Sequence, residues 1–167
     1  MSELNPIEWA VLPLRKYADF SGRAPRAEYW WFYLGTIVVQ IPLSIADEVF
    51  GTWSPLSTLF SVATLIPWLA VTVRRLHDTN RSGWWLLALF LPLIVVAVAA
   101  AAAVGASLGG PGSGPGGPML VTMIVAIIAM LVIGITLFVF MVSEGTAGPN
   151  DYGDDPYGPD SLEEVFA

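Results

Sequence analysis

The chain has 167 residues, enough for one domain, with 55% hydrophobic against 13% charged residues and a mean hydropathy of +0.66. This balance lies outside the soluble range and reads as an integral membrane protein. The net charge of −7 describes mainly the C-terminal end, because seven of the fourteen acids lie from Glu144 onward; it does not exclude a basic surface on the body. The absence of cysteine excludes disulfides, thiolate metal sites and cysteine nucleophiles.

Residues 1–20 place Ile7, Trp9, Val11 and Leu14 ahead of Arg15, Lys16 and Tyr17, the pattern of a short interfacial helix. Pro6 suits its first turn, whereas Pro13 removes an amide donor. The longest apolar run before residue 28, Trp9 to Leu14, is too short for a signal-peptide core, so the first spanning helix is expected to act as its own insertion signal.

Two stretches of more than about 20 residues carry no Asp, Glu, Lys or Arg, Val49 to Val73 and Gly83 to Ser143. Both exceed the roughly 20 residues that one bilayer-spanning helix needs. The expected fold is all-α with four transmembrane helices, at about 29–46, 56–73, 83–107 and 119–142. Pro25 and Glu28 suit the first turn of span one, and Trp30 and Trp31 anchor it at the interface, as Trp84 and Trp85 do for span three. Arg26 with Trp30-Trp31 and Arg81 with Trp84-Trp85 form a short internal echo. Thr36, Gln40 and Ser44 form a stripe on span one, and Ser57, Ser61, Thr64 and Thr72 favour one side of span two. Such stripes hydrogen-bond helices together more often than they line a solute path.

Leu108 to Pro118 is a Gly/Pro connector without charge, and the acidic residues 145–167 are expected to form a mostly disordered tail beyond a turn at Asn150. Residues 1–144 then make up a single four-helix domain. Every basic residue precedes span one or lies between spans two and three. The positive-inside rule therefore puts both termini and the central loop in the cytoplasm.

Three segments carry a resemblance. They are Tyr17 to Trp30 (YADFSGRAPRAEYW), Arg74 to Trp85 (RRLHDTNRSGWW) and Gly148 to Gly153 (GPNDYG). In this order, with spans between them, they resemble the bacterial inner-membrane family called domain of unknown function 805, over about residues 10–158. The long connector at 108–118 and the acidic end depart from the family pattern without touching these motifs. The resemblance implies a small multi-pass inner-membrane protein and supplies no activity.

All three motifs fall on the predicted cytoplasmic side. The expected site is a collar of Arg23, Arg26, Arg74, Arg75 and Arg81 at phosphate depth, supported by Asp19, Glu28, His77, Asp78, Asn80 and Asn150. In this collar Glu28, Asp78 and Asn150 hold guanidinium groups, and anionic lipid headgroups or an acidic partner are the ligands. The competing structural reading makes Arg74, Arg75 and Asp78 a helix terminus with i+3 and i+4 pairs, and Asn80 or Ser82 a cap for the next helix. A small transporter or channel component is the alternative, with a conduit past Gln40, Ser44, Ser61 and Thr64 and no ionisable group at midplane. A headgroup enzyme using His77 comes third. No catalytic residue, metal or cofactor is assigned. The expected partners are membrane lipids, with a homo-oligomer or another membrane protein left open and nucleic acid not among them.

Overall fold

The computed structural model describes residues 4–51, 55–108 and 117–157. Five α-helices follow in order: α1 (Pro6–Arg15), α2 (Arg26–Phe50), α3 (Leu56–Asp78), α4 (Phe90–Leu108) and α5 (Gly117–Val142). A 3-10 segment, Gly83–Leu89, leads into α4. Four helical stretches are long and apolar enough to cross a membrane: Arg26–Phe50, Leu56–Asp78, Gly83–Ala101 and Val121–Val142. The protein is therefore an all-α, multi-pass membrane protein. Its contacts group into two compact units, Met1–Gly83 with Met141–Ala167, and Trp84–Phe140.

In the first unit, α1 begins at a reciprocal cap. The Glu8 amide donates to Asn5 Oδ1 at 2.9 Å and the Asn5 amide to Glu8 Oε2 at 2.7 Å, satisfying two donors that a helix start leaves open. The helix packs on α2 and touches α3, burying Trp9 and Pro13. Glycine at position 35 permits the approach, since a Cβ there would lie 3.3 Å from Ala10 Cβ. Beyond α1, the Tyr17 hydroxyl donates to the Ala63 carbonyl of α3 at 2.8 Å.

The α2–α3 hairpin runs further at both ends than charge alone suggests. α2 continues through Asp47 and Glu48 to Phe50, and the Asp47 carboxylate caps α3 by accepting the Leu56 amide at 3.1 Å and the Ser57 amide at 2.9 Å. This places a negative charge at a helix N-terminus, where the dipole favours it. Trp53, in the turn, lies outside the described residues. Between the helices, Gln40 Nε2 reaches the Ser57 carbonyl at 3.5 Å and the Ser61 hydroxyl reaches Gln40 Oε1 at 3.4 Å. Thr64 and Thr72 turn back to the carbonyls of Phe60 and Trp68. The stripes are thus partly spent within the hairpin, beside a groove of about 340 Å³ lined by Thr36, Gln40, Ser61, Thr64 and Trp68.

α3 takes Arg74 to Asp78 as its last turn. Asn80 then adopts a left-handed conformation (φ 54°) and donates its amide to the His77 carbonyl at 2.9 Å, while the Arg81 amide returns to Leu76 at 2.9 Å. Asparagine tolerates this conformation and closes a helix much as glycine does. Asn80 thus helps to end α3, whereas the competing structural reading offered Asn80 or Ser82 as a cap for the next helix.

In the second unit, regular α-helix starts at Phe90 and puts Pro92 in its first turn, where a missing amide costs least. Span three therefore opens with a 3-10 stretch carrying Trp84 and Trp85. Trp85 meets Phe140 edge to face at 5.3 Å, so the entry to α4 lies beside the end of α5. Residues 109–116 of the connector lie outside the described residues.

Candidate functional site

The end of the first unit where α2 starts and α3 stops gathers the polar side chains of all three motifs. Spacing of i, i+3 on the last turn of α3 places Arg75 against Asp78, and Arg75 Nη1 donates to Asp78 Oδ2. The other carboxylate oxygen accepts Arg23 Nε at 2.9 Å. One aspartate therefore bridges two guanidinium groups, with the three side chains at most 4% exposed.

Both arginines spend their remaining donors on backbone carbonyls. Arg75 reaches Met141 at 3.2 Å, Ala24 at 3.4 Å and also Ser143, neutralising the negative end of α5. Arg23 reaches Gly148 at 2.6 Å and Thr146 at 2.5 Å. A second buried pair lies alongside. Arg74 Nη2 stands 2.9 Å from Glu28 Oε1, with the side chains 1% and 2% exposed. The contact is one of charge without hydrogen-bond alignment, and Arg74 Nε and Nη1 have no hydrogen-bond partner among the described residues. Three buried guanidinium groups thus face two carboxylates, and aligned carbonyls offset the excess positive charge.

Residues 144–157 clamp this knot. The Thr146 amide donates to the Asp78 carbonyl at 2.8 Å. Asn150 Nδ2 donates to the His77 carbonyl at 2.9 Å and to the Thr146 hydroxyl at 2.8 Å, while Asn150 Oδ1 accepts the Tyr152 amide at 2.9 Å. Asn150 therefore ties the segment to α3 and holds no guanidinium, contrary to the sequence expectation, because the arginines find carbonyls nearer at hand. Gly153, at φ 136°, pairs with Asn150 in an isolated bridge, a conformation that suits glycine. Gly145 is required for a different reason, since a Cβ there would lie 2.2 Å from Asp78 Oδ2. Hydrogen bonds continue as far as the Tyr157 amide; residues 158–167 lie outside the described residues.

His77 stacks flat on Tyr152, with centroids 3.9 Å apart and 8° between planes. Its Nδ1 lies 3.2 Å from the Gly22 carbonyl. Facing an acceptor, that nitrogen carries the proton. Asp78 is spent on arginines. Asp19 forms a local turn by accepting the Ser21 amide and hydroxyl, and these bonds hold its carboxyl below the usual range.

The remaining predicted residues lie at the periphery. Arg26 is half exposed and holds the Val142 carbonyl and Glu144 Oε1, each at 3.2 Å. Arg81 Nη1 donates to the Thr79 carbonyl at 2.9 Å. Trp30 Nε1 donates to the Met141 carbonyl at 3.3 Å, while Trp31, Trp84 and Trp85 are exposed. A cavity of about 210 Å³ opens beside the knot, its wall including Arg26, Glu144, Asp155 and Tyr157. Three side chains of this neighbourhood, Tyr152, Asp155 and Tyr157, were not among the sequence candidates. Their only signal was an aromatic and acidic character within a tail that otherwise resembles a disordered segment.

The family described as Protein of unknown function (DUF805) matches residues 17–154, which hold every contact of the knot. The chain belongs to this family. It is 34% identical to Inner membrane protein YhaI of Escherichia coli over 151 residues, covering 90% of this chain and 96% of that protein. It is 39% identical to Inner membrane protein YhaH of the same organism over 94 residues, 53% of this chain and 77% of that one. Uncharacterized protein YiiR, also of E. coli, is 33% identical over 139 residues, 82% of this chain and 85% of that protein. No solved structure matches the chain. The matched range thus includes Arg23, Glu28, Arg74, Arg75 and Asp78 together with the carbonyls that receive them.

Proposed function

We propose that the protein binds anionic lipid headgroups, or an acidic partner at the same depth, on the cytoplasmic side of the inner membrane, through a cationic rim around a neutralised arginine knot. The observation that carries this reading is a division of labour among the bases. Arg23, Arg74 and Arg75 are buried on carboxylates and carbonyls, whereas Arg15, Lys16 and Arg26 are exposed. The sequence expectation of five headgroup-binding arginines is thereby redistributed. The buried three brace α2, α3 and the end of α5, and the exposed bases, joined by Arg81, meet phosphates. The positive-inside rule supports the cytoplasmic placement, because Arg15, Lys16 and Arg23 lie ahead of α2, Arg26 in its first turn, Arg74 and Arg75 in the last turn of α3, and Arg81 between α3 and α4.

Each interfacial base contributes about 1 kcal/mol toward an anionic leaflet. An Arg15→Ala/Lys16→Ala/Arg26→Ala variant, folded and placed in nanodiscs, should lose most of the enrichment of phosphatidylglycerol over phosphatidylcholine that the parent shows. Equal enrichment in both would overturn the reading. Substitution of Arg74 and Arg75 reports on folding instead. A conduit past Gln40 has weaker support, since that amide bonds across the α2–α3 hairpin.

A further inference from the structure

The cavity beside the knot has a charge balance unlike the rest of the basic rim. Arg23, Arg26 and Arg75 on its wall are matched in number by Asp78, Glu144 and Asp155. The groups differ sharply in availability. Arg23, Arg75 and Asp78 are bound to one another and to carbonyls, and nothing in the cavity draws on them further. Arg26 and Glu144 are open, with side chains 47% and 86% exposed, and are held together by one 3.2 Å contact. Arg26 uses one N–H on each terminal nitrogen, and Glu144 uses one oxygen. The Asp155 carboxylate takes the amides of Gly148 and Tyr157, and the Tyr157 ring borders the same opening.

An exposed ion pair of this kind contributes little to stability and is readily exchanged. A ligand with negative charge alone would gain Arg26 but stand against Glu144 and Asp155. A ligand with positive charge alone would meet the reverse problem. We propose that this cavity is a site for a zwitterion that joins a phosphate ester to a primary ammonium group, the chemistry of an ethanolamine headgroup. The phosphate takes the Arg26 donors, which favour phosphate geometry. The released Glu144 carboxylate, with Asp155 behind it, accepts the ammonium N–H groups. The Tyr157 ring offers a cation–π face to the same ammonium. A trimethylammonium has no N–H to give and is disfavoured. The cavity is of headgroup size, and α2, which starts at Arg26, offers exposed apolar side chains to acyl chains. This inference rests on the phosphate-binding rim, with which it shares Arg26, and goes beyond it by making the acids Glu144 and Asp155 part of the site.

The test uses the full chain in nanodiscs containing phosphatidylethanolamine, phosphatidylcholine and phosphatidylglycerol in equal parts, with bound lipid counted by native mass spectrometry. The parent should retain phosphatidylethanolamine over the other two by about fivefold, as one interfacial charge contact supplies. Glu144→Gln, at an exposed position that does not threaten folding, should abolish that preference and raise retention of phosphatidylglycerol on the freed Arg26. Phosphatidylglycerol retained above phosphatidylethanolamine by the parent, or an unchanged order in Glu144→Gln, would overturn the proposal. Arg15→Ala/Lys16→Ala should lower phosphatidylglycerol overall and leave the ethanolamine-to-choline ratio intact. The two readings therefore fail separately. Soluble phosphoethanolamine, added as a competitor, distinguishes sources: displacement of the lipid supports a free ligand, resistance supports the lipid, and retention of neither form overturns the site.

Discussion

The Tyr17 hydroxyl lies 2.8 Å from the Ala63 carbonyl, and that carbonyl is available because the residue four positions on is Pro67. A helical carbonyl normally accepts the amide of residue i+4, and proline has none. Tyrosine from outside the hairpin supplies the missing donor. Tyr17→Phe should therefore cost about 0.6 kcal/mol and at most about 1.7 kcal/mol, the average and the maximum for hydrogen bonds between membrane helices. In a Pro67→Ala background, where the helix repairs itself, the same substitution should cost nothing measurable. A double-mutant cycle on unfolding in detergent measures the difference.

Asp78 bridges Arg23 and Arg75 in a buried setting. Its replacement by Asn leaves two guanidinium groups without their counterion, and loss of one partner from such a cluster costs about 3–5 kcal/mol. Asp78→Asn should lower the melting temperature in detergent far more than Glu144→Gln, which breaks the exposed pair.

Gly145 lies against the Asp78 carboxylate, which two arginines keep from moving aside. Gly145→Ala should destabilise by about 1–3 kcal/mol, as overpacking does, and loosen the segment after it. Limited proteolysis near residues 146–157 reads this directly. Gly134, with nothing near its would-be Cβ, is the control and should accept alanine.

The turn closed by Asp155 should respond to acid. The amide of Tyr157 most strongly, and then that of Gly148, hold its carboxyl below the usual value of 3.8. A depressed carboxylate contributes its stability above the unfolded value and loses it as pH falls through the folded one. The turn should thus be unchanged from pH 8 to 5 and open only below about 4, where carboxylates protonate. The amide resonances of Gly148 and Tyr157 should shift in that window in the parent and not in Asp155→Asn.

The four spans were legible because long gaps in charge have no other physical use. Their ends were less so. α2 passes through Asp47 and α3 through Arg74 and Arg75 because each charge finds a partner that continues or caps a helix. Those partners are remote: Arg23 and Asp78 are 55 positions apart, and Arg23 and Gly148 are 125 apart. Residue spacing shows that Arg75 and Asp78 share a turn, but not that Arg74 points to Glu28. Backbone carbonyls, which satisfy most of the donors of Arg23 and Arg75, leave no mark on the sequence at all.

The clamp formed by residues 144–157 also dictates an order of events during synthesis. Arg23 and Arg75 are made and inserted with the first hairpin, whereas the carbonyls of Met141, Ser143, Thr146 and Gly148 that receive them arrive only with the end of α5 and the segment behind it. Until then Asp78 alone faces these two guanidinium groups, and most of their other donors lack an acceptor. A chain cut short before Met141 would leave those donors open permanently.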